Sequence, residues 1–140
     1  MVPMNLENPS KKYHSMHSIV FSCQYHVVFC PKYRRKVLTN GVDVRLKELI
    51  LEKQLEYGYS VIEMEVMPDH VHLLLDVNPQ LSIVNVVGKI KGYTANILRT
   101  EFPFLKGKLP CMWTRNNFVS TVGSVSLEVV KQYIENQKNV

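Results

Sequence analysis

At 140 residues, the chain is long enough for one domain with a hydrophobic core and too short for two independent ones. With 46% hydrophobic and 21% charged residues it falls in the globular range, and no stretch approaches the roughly 20 apolar residues that a membrane span needs. The formal net charge of +5 favours a polyanionic partner, while three cysteines without C-x-x-C spacing speak against a disulfide framework and a zinc knuckle.

The first half of the chain predicts an arm, a strand and a helix. Residues 1–16 are polar and interrupted by proline, which indicates a flexible arm rather than a signal peptide, so we expect a cytoplasmic protein whose single domain spans residues 17–140. Residues 18–30 are rich in β-branched and aromatic side chains and stop at a proline, as a strand does. Residues 42–57 carry apolar side chains at helical spacing, and Gly58 is placed to end that helix.

The second half predicts a hairpin, a helix, a strand and a last helix. Residues 60–67 and 70–77 are apolar-rich runs separated by a turn-forming Pro-Asp pair, which predicts antiparallel strands. Residues 81–100 place their apolar side chains on one helical face. Residues 118–122 supply a fourth strand, and Ser126 is a natural N-cap for the final helix. The order βαββαβ plus a C-terminal helix predicts an α+β, ferredoxin-like antiparallel sheet with one added element.

Two histidines share one face of the predicted strand at residues 70–77. Successive strand residues point to opposite faces, so His70 and His72 lie opposite to Val71 and Leu73. In a strand their Cα atoms are roughly 6.5–7 Å apart, a span that two imidazoles can close on one metal ion. The spacing equally suits two histidines on a half-exposed sheet face, and a metal site needs a third ligand.

The predicted last helix carries a tyrosine and a glutamine on one face. Tyr133 and Gln137 are four residues apart, so the amide oxygen of Gln137 can ligate an ion beside the Tyr133 hydroxyl. Leu127, Val130 and Ile134 form a separate apolar stripe that anchors the helix by burial. Taken alone, a helix tyrosine is more often a core residue than a nucleophile, so this pattern by itself does not establish catalysis.

Together, these motifs resemble the single-tyrosine HUH transposases of bacterial and archaeal insertion sequences, in which U is a bulky apolar residue, here Val71. The resemblance extends from about Ser18 to Gln137. One position departs from it, because Asn117 stands where an aromatic residue is expected before the Phe-Val-Ser-Thr run. The segments that carry the resemblance are M-P-D-H-V-H-L-L-L at 67–75 and V-K-Q-Y-I-E-N-Q at 130–137, with C-P-K-Y-R-R-K at 30–36, I-K-G-Y at 90–93 and Trp113 followed by F-V-S-T-V-G at 118–123.

The resemblance implies a chemistry and a role for each site residue. It implies that Tyr133 is the nucleophile, and that His70, His72 and Gln137 bind Mg²⁺ or Mn²⁺. It also implies cleavage and rejoining of single-stranded DNA hairpins at insertion-sequence ends through a 5′-phosphotyrosine intermediate, by a homodimer whose active sites are shared between subunits. The residue types fit, because a tyrosine oxygen can attack phosphorus and release a 3′-hydroxyl without consuming water. Imidazole ligands suit Mn²⁺ better than Mg²⁺, so Mg²⁺ rests on the resemblance alone.

Basic and aromatic residues in two segments are candidates for DNA binding. They combine phosphate-binding charge with aromatic rings that can stack on unpaired bases. For each of them, an ordinary solvated side chain is the alternative interpretation. The candidates are Lys32, Tyr33, Arg34, Arg35 and Lys36 after the first strand, and Lys89, Lys91, Tyr93 and Arg99 on the second helix.

Three other functions fit parts of the sequence. A domesticated relative of the repeat-associated tyrosine transposases would share the motifs without serving an autonomous element. A non-catalytic ferredoxin-like nucleic-acid-binding module would carry stacking aromatics where this chain has His70 and His72. A metal-binding regulatory domain would leave the pairing of Tyr133 with Gln137 as a coincidence. The target sequence, the general base and the cis or trans position of the tyrosine helix follow from no pattern in the sequence.

Overall fold

A small hairpin precedes the main sheet. The structure is a computed structural model, and it describes residues 14–16, 19–122 and 127–138. Two short strands, β1 (His14–Met16) and β2 (Ile19–Phe21), pair antiparallel. The segment expected as a flexible arm therefore ends in a strand, and the rest of it lies outside the described residues. The domain boundary at residue 17 stays a prediction.

The domain is built on a four-stranded antiparallel sheet. Its strands are β3 (Gln24–Phe29), β4 (Tyr59–Met67), β5 (His70–Val77) and β6 (Phe118–Thr121), in the spatial order β4-β5-β3-β6. This order confirms the predicted α+β fold. The strand expected over residues 18–30 is divided, because residues 22 and 23 separate β2 from β3. β5 is hydrogen-bonded to β4 on one edge and to β3 on the other, so the strand with the two histidines is held from both sides.

The helices follow the predicted order with one interruption and with one short helix, α4 (Phe104–Lys108), that was not predicted. The residue before the break, Glu52, ends α1, and Lys53 takes φ −99° and ψ 8°. A second short helix then ends at Gly58, whose φ of 77° is the left-handed cap that the sequence predicted. No helix among the described residues is long and apolar enough to cross a membrane. The helices are α1 (Val42–Glu52), α2 (Gln54–Tyr57), α3 (Ile83–Glu101), α4 (Phe104–Lys108) and α5 (Leu127–Glu135), with a 3₁₀ turn at Lys32–Arg34.

The hydrophobic core lies on one face of the sheet, beneath α1 and α3. Side chains that alternate along β3 and β5 meet the apolar stripes of the two helices, and each fully buried side chain of this kind stabilises the fold by about 1.5–3 kcal/mol. Because alternate strand residues face opposite ways, the same packing turns His70 and His72 to the other face. The buried set includes Val27, Phe29, Val71, Leu73 and Leu75 from the strands and Leu46, Leu49, Val86, Val87 and Ile90 from the helices.

The last helix, α5, lies on the histidine face of the sheet. The ring of Tyr133 is 5.4 Å from the ring of Phe118 on β6, measured between centroids. Val130, in the predicted apolar stripe, is buried. The predicted N-cap Ser126 and the preceding Gly123-Ser124 connection lie outside the described residues. Thus α1 and α3 pack on one side of the sheet, and α5 contacts the other side through Tyr133.

Candidate active site

β5 presents His70 and His72 on the face opposite to the core, as the alternation predicts. His72 pairs in register with Val28 on β3 and with Glu65 on β4. Its Nε2 lies 3.1 Å from Nδ1 of His26, so one of the two rings donates a hydrogen bond to the other. His26 is absent from the predicted site, because only the register between β3 and β5 brings it beside His72.

The surroundings of His72 favour its neutral form. Burial lowers the pKa of His72, and the nearby His26 lowers that pKa further. A neutral imidazole keeps a lone pair on one nitrogen, which a metal ion requires. His72 is therefore suited to act as a ligand at neutral pH.

His70 is oriented by the residue before it. Its Nδ1 lies 2.9 Å from Oδ1 of Asp69, and the other carboxylate oxygen of Asp69 lies 3.3 Å from Nε of Arg34. A carboxylate oxygen accepts hydrogen bonds, so Nδ1 of His70 donates to Asp69, and in a neutral imidazole ring Nε2 would keep its lone pair. Carboxylate–histidine pairs of this kind commonly orient metal-binding imidazoles.

Tyr133 contacts the sheet from α5, and Gln137 follows just after that helix. Phe118, which contacts the Tyr133 ring, pairs with Val28, and Val28 pairs with His72. The tyrosine therefore lies over the same sheet face as the histidines. Gln137 lies just beyond the end of α5, in a turn where its backbone N–H donates to the carbonyl of Ile134 at 3.1 Å. The sequence had predicted that Gln137 lies within the helix, one turn after Tyr133.

Two oxygens in this region are buried without a partner. Among the described residues, neither the Tyr133 hydroxyl nor Oε1 of Gln137 has a hydrogen-bond partner, and Gln137 is only 5% exposed. Leaving such an oxygen unpaired costs about 1–3 kcal/mol, so two of them in one region suit a bound polar group or ion.

The donor set fits a divalent cation. In the described part of the chain, no cluster of three His, Cys, Asp or Glu side chains could hold a metal ion by itself. The amide oxygen of Gln137 with the imidazoles of His70 and His72 would supply three neutral ligands and leave positions open for substrate oxygens. The predicted metal ligands therefore fit the group, and their metal binding stays a prediction.

The surroundings of Tyr133 favour the protonated form of its hydroxyl. Burial raises the pKa of Tyr133 above its ordinary value, with a smaller contribution from Cys30. Burial also raises the pKa of the Cys30 thiol to about 12, so Cys30 is uncharged at neutral pH. Burial is therefore the main cause of the raised pKa of Tyr133. Even an ordinary tyrosine, with a pKa near 10, needs about 4 kcal/mol to form phenolate at pH 7. Tyr133 is therefore protonated until something in the reaction removes its proton.

Comparison with known proteins places this arrangement in a family. A family model described as an IS200-like transposase matches residues 19–137, a range that contains both histidines, Tyr133 and Gln137. The chain belongs to the IS200-like transposase family. Membership favours a transposase over the two non-enzymatic interpretations of the sequence.

Individual relatives are similar over most of their length. The ISDra2 transposase TnpA of Deinococcus radiodurans is 38% identical over 120 residues, which are 84% of this chain and 86% of that protein. A transposase for insertion sequence element IS200 of Salmonella typhimurium is 35% identical over 84% of this chain and 78% of its own.

Solved structures agree with the fold. A crystal structure described as a transposase of Deinococcus radiodurans R1 superposes with a TM-score of 0.84 at 33% identity, covering 91% of this chain and 99% of that one. A REP-associated tyrosine transposase bound to a REP hairpin shares the fold alone, with a TM-score of 0.55 and 10% identity over 87% of this chain and 68% of its own.

The first basic segment of this IS200-like transposase forms a tight turn beside α5. Tyr33, Arg35 and Lys36 are exposed, and Nζ of Lys32 lies 5.1 Å from the centroid of the Tyr33 ring. Arg34 differs from them, because its side chain is directed inward to Asp69 and α5. DNA binding by these five candidates stays a prediction, and Arg34 has protein partners instead of a free guanidinium.

The second basic segment, on α3, lies on the core side of the sheet and is not one patch. Lys89 is exposed, whereas the other three candidates each bond to a different part of the protein. Tyr93 donates to Glu52 at 3.1 Å, Arg99 to the Leu109 carbonyl at 3.1 Å, and Lys91 to the Thr114 carbonyl at 2.6 Å. DNA binding by these side chains also stays a prediction.

Asn117, the position that departs from the resemblance, has a partner in this transposase. Its Oδ1 accepts a hydrogen bond from Nζ of Lys91 at 2.6 Å. Burial lowers the pKa of Lys91 to about 8. Lys91 thus fixes the segment that leads from Trp113 into β6, and Asn117 provides one of its acceptors.

Proposed function

We propose that this transposase cleaves and rejoins single-stranded DNA through a 5′-phosphotyrosine formed on Tyr133, with Mg²⁺ or Mn²⁺ held by His70, His72 and Gln137. The observation that carries the proposal is the pair of buried oxygens on Tyr133 and Gln137, which lack partners within the described residues, together with the position of the Tyr133 ring over the histidine face of the sheet. Membership of a transposase family supplies the class of substrate.

The chemistry of the chain's own residues is a balanced transesterification. The Tyr133 oxygen forms a bond to the phosphorus of a phosphodiester, the bond from phosphorus to the 3′-oxygen breaks, and the phenolic proton is passed on so that a 3′-hydroxyl results. No water enters, and the phosphotyrosine ester is available for rejoining. A bound divalent cation would polarise the scissile phosphate as a Lewis acid. His70 and His72, whose rings are fixed by their hydrogen bonds, would hold the cation on their face of the sheet.

The proposed substrate is single-stranded DNA that carries a hairpin. A relative that shares the fold has been solved with a REP hairpin, and we extend a hairpin substrate to this chain. Support comes from the exposed side chains of Tyr33, Arg35 and Lys36 beside α5, which offer a stacking ring and two cations.

A cleavage assay with end-labelled DNA tests the chemistry. With Mn²⁺ and hairpin-bearing single strands, we expect a covalent adduct between the protein and the 5′-phosphate on denaturing gels, together with a free 3′-hydroxyl product. Tyr133→Phe should abolish the adduct and retain DNA binding. Tyr57→Phe is the matched control, since Tyr57 packs against the core and should leave the adduct unchanged. A free 5′-phosphate formed without any covalent intermediate would contradict the proposal.

We also propose a homodimer in which each site combines the His70/His72 pair of one subunit with Tyr133 and Gln137 of the other. In the single chain, α5 contacts its own Arg34 and Phe118. Exchange of α5 between two copies would replace these contacts with identical ones, so it would lose no interaction. The Gly123-Ser124 sequence favours such an exchange, because glycine imposes little restriction on the connecting chain.

Complementation between two inactive subunits tests the shared site. A His70→Ala/His72→Ala subunit and a Tyr133→Phe subunit are coexpressed with different tags, and the heterodimer is purified. Sharing predicts one complete site and therefore cleavage, with the adduct on the histidine-mutant chain only. Each mutant homodimer, the control, should stay inactive. A heterodimer as inactive as both parents would overturn assembly in trans for the cleavage step.

A further inference from the structure

Arg34 is the one predicted DNA-binding residue of its segment whose side chain has three protein partners in the described structure. Its Nε lies 3.3 Å from Oδ2 of Asp69. Its Nη1 donates to the backbone carbonyl of Ile134 at 3.3 Å and to Oε2 of Glu135 at 3.1 Å. The side chain is only 15% exposed. A guanidinium that already serves acceptors on two elements is poorly placed to bind DNA phosphate.

The two ends of this contact belong to the two halves of the proposed site. Asp69 uses its other oxygen to hold Nδ1 of His70 at 2.9 Å, so the carboxylate bridges Arg34 and the imidazole. Ile134 directly follows Tyr133 on α5. The planar fork of one guanidinium therefore fixes the orientation of a proposed metal ligand and the position of the nucleophile's helix together.

The backbone at this point is held in an unusual conformation. Tyr33 and Arg34 are consecutive non-glycine residues with φ of 60° and 50°. A left-handed conformation costs roughly 1–2 kcal/mol for each such residue and persists only where surrounding contacts enforce it. The N–H of Arg34 donates to the Pro31 carbonyl at 2.8 Å, and Lys32 N–H donates to the Met112 carbonyl at 3.0 Å. These contacts turn the Arg34 side chain inward while its neighbours stay exposed.

We infer that Arg34 is a positioning residue that couples the orientation of His70, through Asp69, to the docking of the tyrosine helix, through Ile134 and Glu135. The inference rests on the proposed function, since it takes His70 as a metal ligand and Tyr133 as the nucleophile. The same acceptors are presented to Arg34 whether α5 comes from its own chain or from a second copy.

Two measurements on the full-length protein without DNA test the coupling. Calorimetric titration with Mn²⁺ reports the metal site, and hydrogen exchange of the peptide over residues 129–137 reports helix docking. For Arg34→Ala we expect about tenfold weaker Mn²⁺ binding, the lower end of what loss of a ligand's supporting contact produces. In the absence of metal, the 129–137 peptide of Arg34→Ala should exchange faster than the same peptide of the wild type. Adding Mn²⁺ should slow this exchange in the wild type and should no longer slow it in the variant.

Matched variants separate the two arms. Asp69→Asn should weaken Mn²⁺ binding but leave the metal-free exchange of the 129–137 peptide close to wild type, and adding Arg34→Ala to it should then speed that exchange. Arg35→Ala, an exposed neighbour, should change neither measurement. Arg34→Lys keeps the charge and loses the fork, so it should show both effects even if Arg34→Ala unfolds.

The outcomes distinguish this inference from the proposed metal site. If His70→Ala abolishes Mn²⁺ binding while both Arg34 variants bind like Arg35→Ala, Arg34 has no positioning role. The inference also fails if the Arg34 variants weaken binding but metal-free exchange of the 129–137 peptide is unchanged, because the helix arm is then absent. If His70→Ala itself leaves Mn²⁺ binding intact, the proposed metal site is wrong and the coupling is overturned with it.

Discussion

The two faces of the central sheet differ in what their side chains contact. On the core face, Leu73 and its neighbours are fully buried among apolar groups of α1 and α3. On the other face, His70 and His72 are half-buried and hydrogen-bonded to polar side chains, and the tyrosine helix contacts the same face at Phe118. Within one strand, Leu73 thus contributes to the stability of the core, while its neighbour His72 belongs to the candidate site. A strand held by hydrogen bonds on both edges can carry a site without that site contributing to the core.

The largest effect should appear when the two faces of β5 are compared directly. Leu73→Ala leaves a cavity in the core and should lower the free energy of unfolding by about 3–5 kcal/mol. His72→Ala removes a half-buried polar side chain and should change it by about 1 kcal/mol or less, while abolishing most Mn²⁺ binding. Urea unfolding and calorimetric titration measure the two quantities. Equal destabilisation by both substitutions would show that the site face also carries the fold.

Periodicity in the sequence predicted the difference between these faces. Alternation in residues 70–77 placed the histidines opposite to the core, and helical spacing placed Tyr133 apart from the apolar stripe of its helix, because both patterns depend only on local geometry. The pairing of His26 with His72 and the contacts of Arg34 with Asp69 and α5 were not predictable. They depend on strand register and on residues up to a hundred positions apart, which no local pattern encodes.

Local rules also failed where tertiary packing decides. Residues 42–57 have the spacing of one continuous helix, yet the chain breaks at Lys53 before α2, and residues 18–30 are divided at residues 22 and 23. Gln137 lies in a turn beyond the end of α5, because a helix frays at its end whatever the spacing of its side chains. The types of the main elements were therefore predictable, whereas the breaks within them and the short elements β1 and α4 were not.

A smaller effect is expected at Gly58, on the core side. Its φ is 77°, and a Cβ there would lie 2.5 Å from Cδ1 of Leu81. Gly58→Ala should therefore lower the free energy of unfolding by about 1–3 kcal/mol, from left-handed strain and overpacking, without changing Mn²⁺ affinity. Gly107→Ala is the matched control, because a Cβ at Gly107 meets nothing within 4 Å and alanine favours the helix. A loss of Mn²⁺ affinity in Gly58→Ala would show that the two faces are coupled.

The smallest effect concerns Lys91, which reaches from α3 around to the segment before β6. Burial lowers its pKa to about 8, whereas an ordinary lysine has a pKa of 10.5. Between these values the unfolded chain binds more protons than the folded one, so the free energy of unfolding should rise with pH. From about pH 7.5 to 9 the Lys91 contribution should be of the order of 1 kcal/mol. Lys91→Met, which cannot titrate, should show a correspondingly flatter dependence.

Chemical unfolding at a series of pH values measures this difference. Lys89→Met is the control, because its side chain is exposed two residues earlier on α3 and should retain the wild-type dependence. The unfolded Cys30 thiol ionises above about pH 8.5, while burial raises the pKa of the folded thiol to about 12, so Cys30 lowers stability in the upper part of this range. This effect is common to the wild type and both variants, and the difference between the curves therefore reports Lys91. Parallel curves for the wild type and Lys91→Met would mean that the hydrogen bonds to Thr114 and Asn117 hold the ammonium charged. Lys91 would then be charged at every pH tested and would hold the segment that leads into β6 through hydrogen bonds. That strand carries Phe118, which contacts the ring of Tyr133.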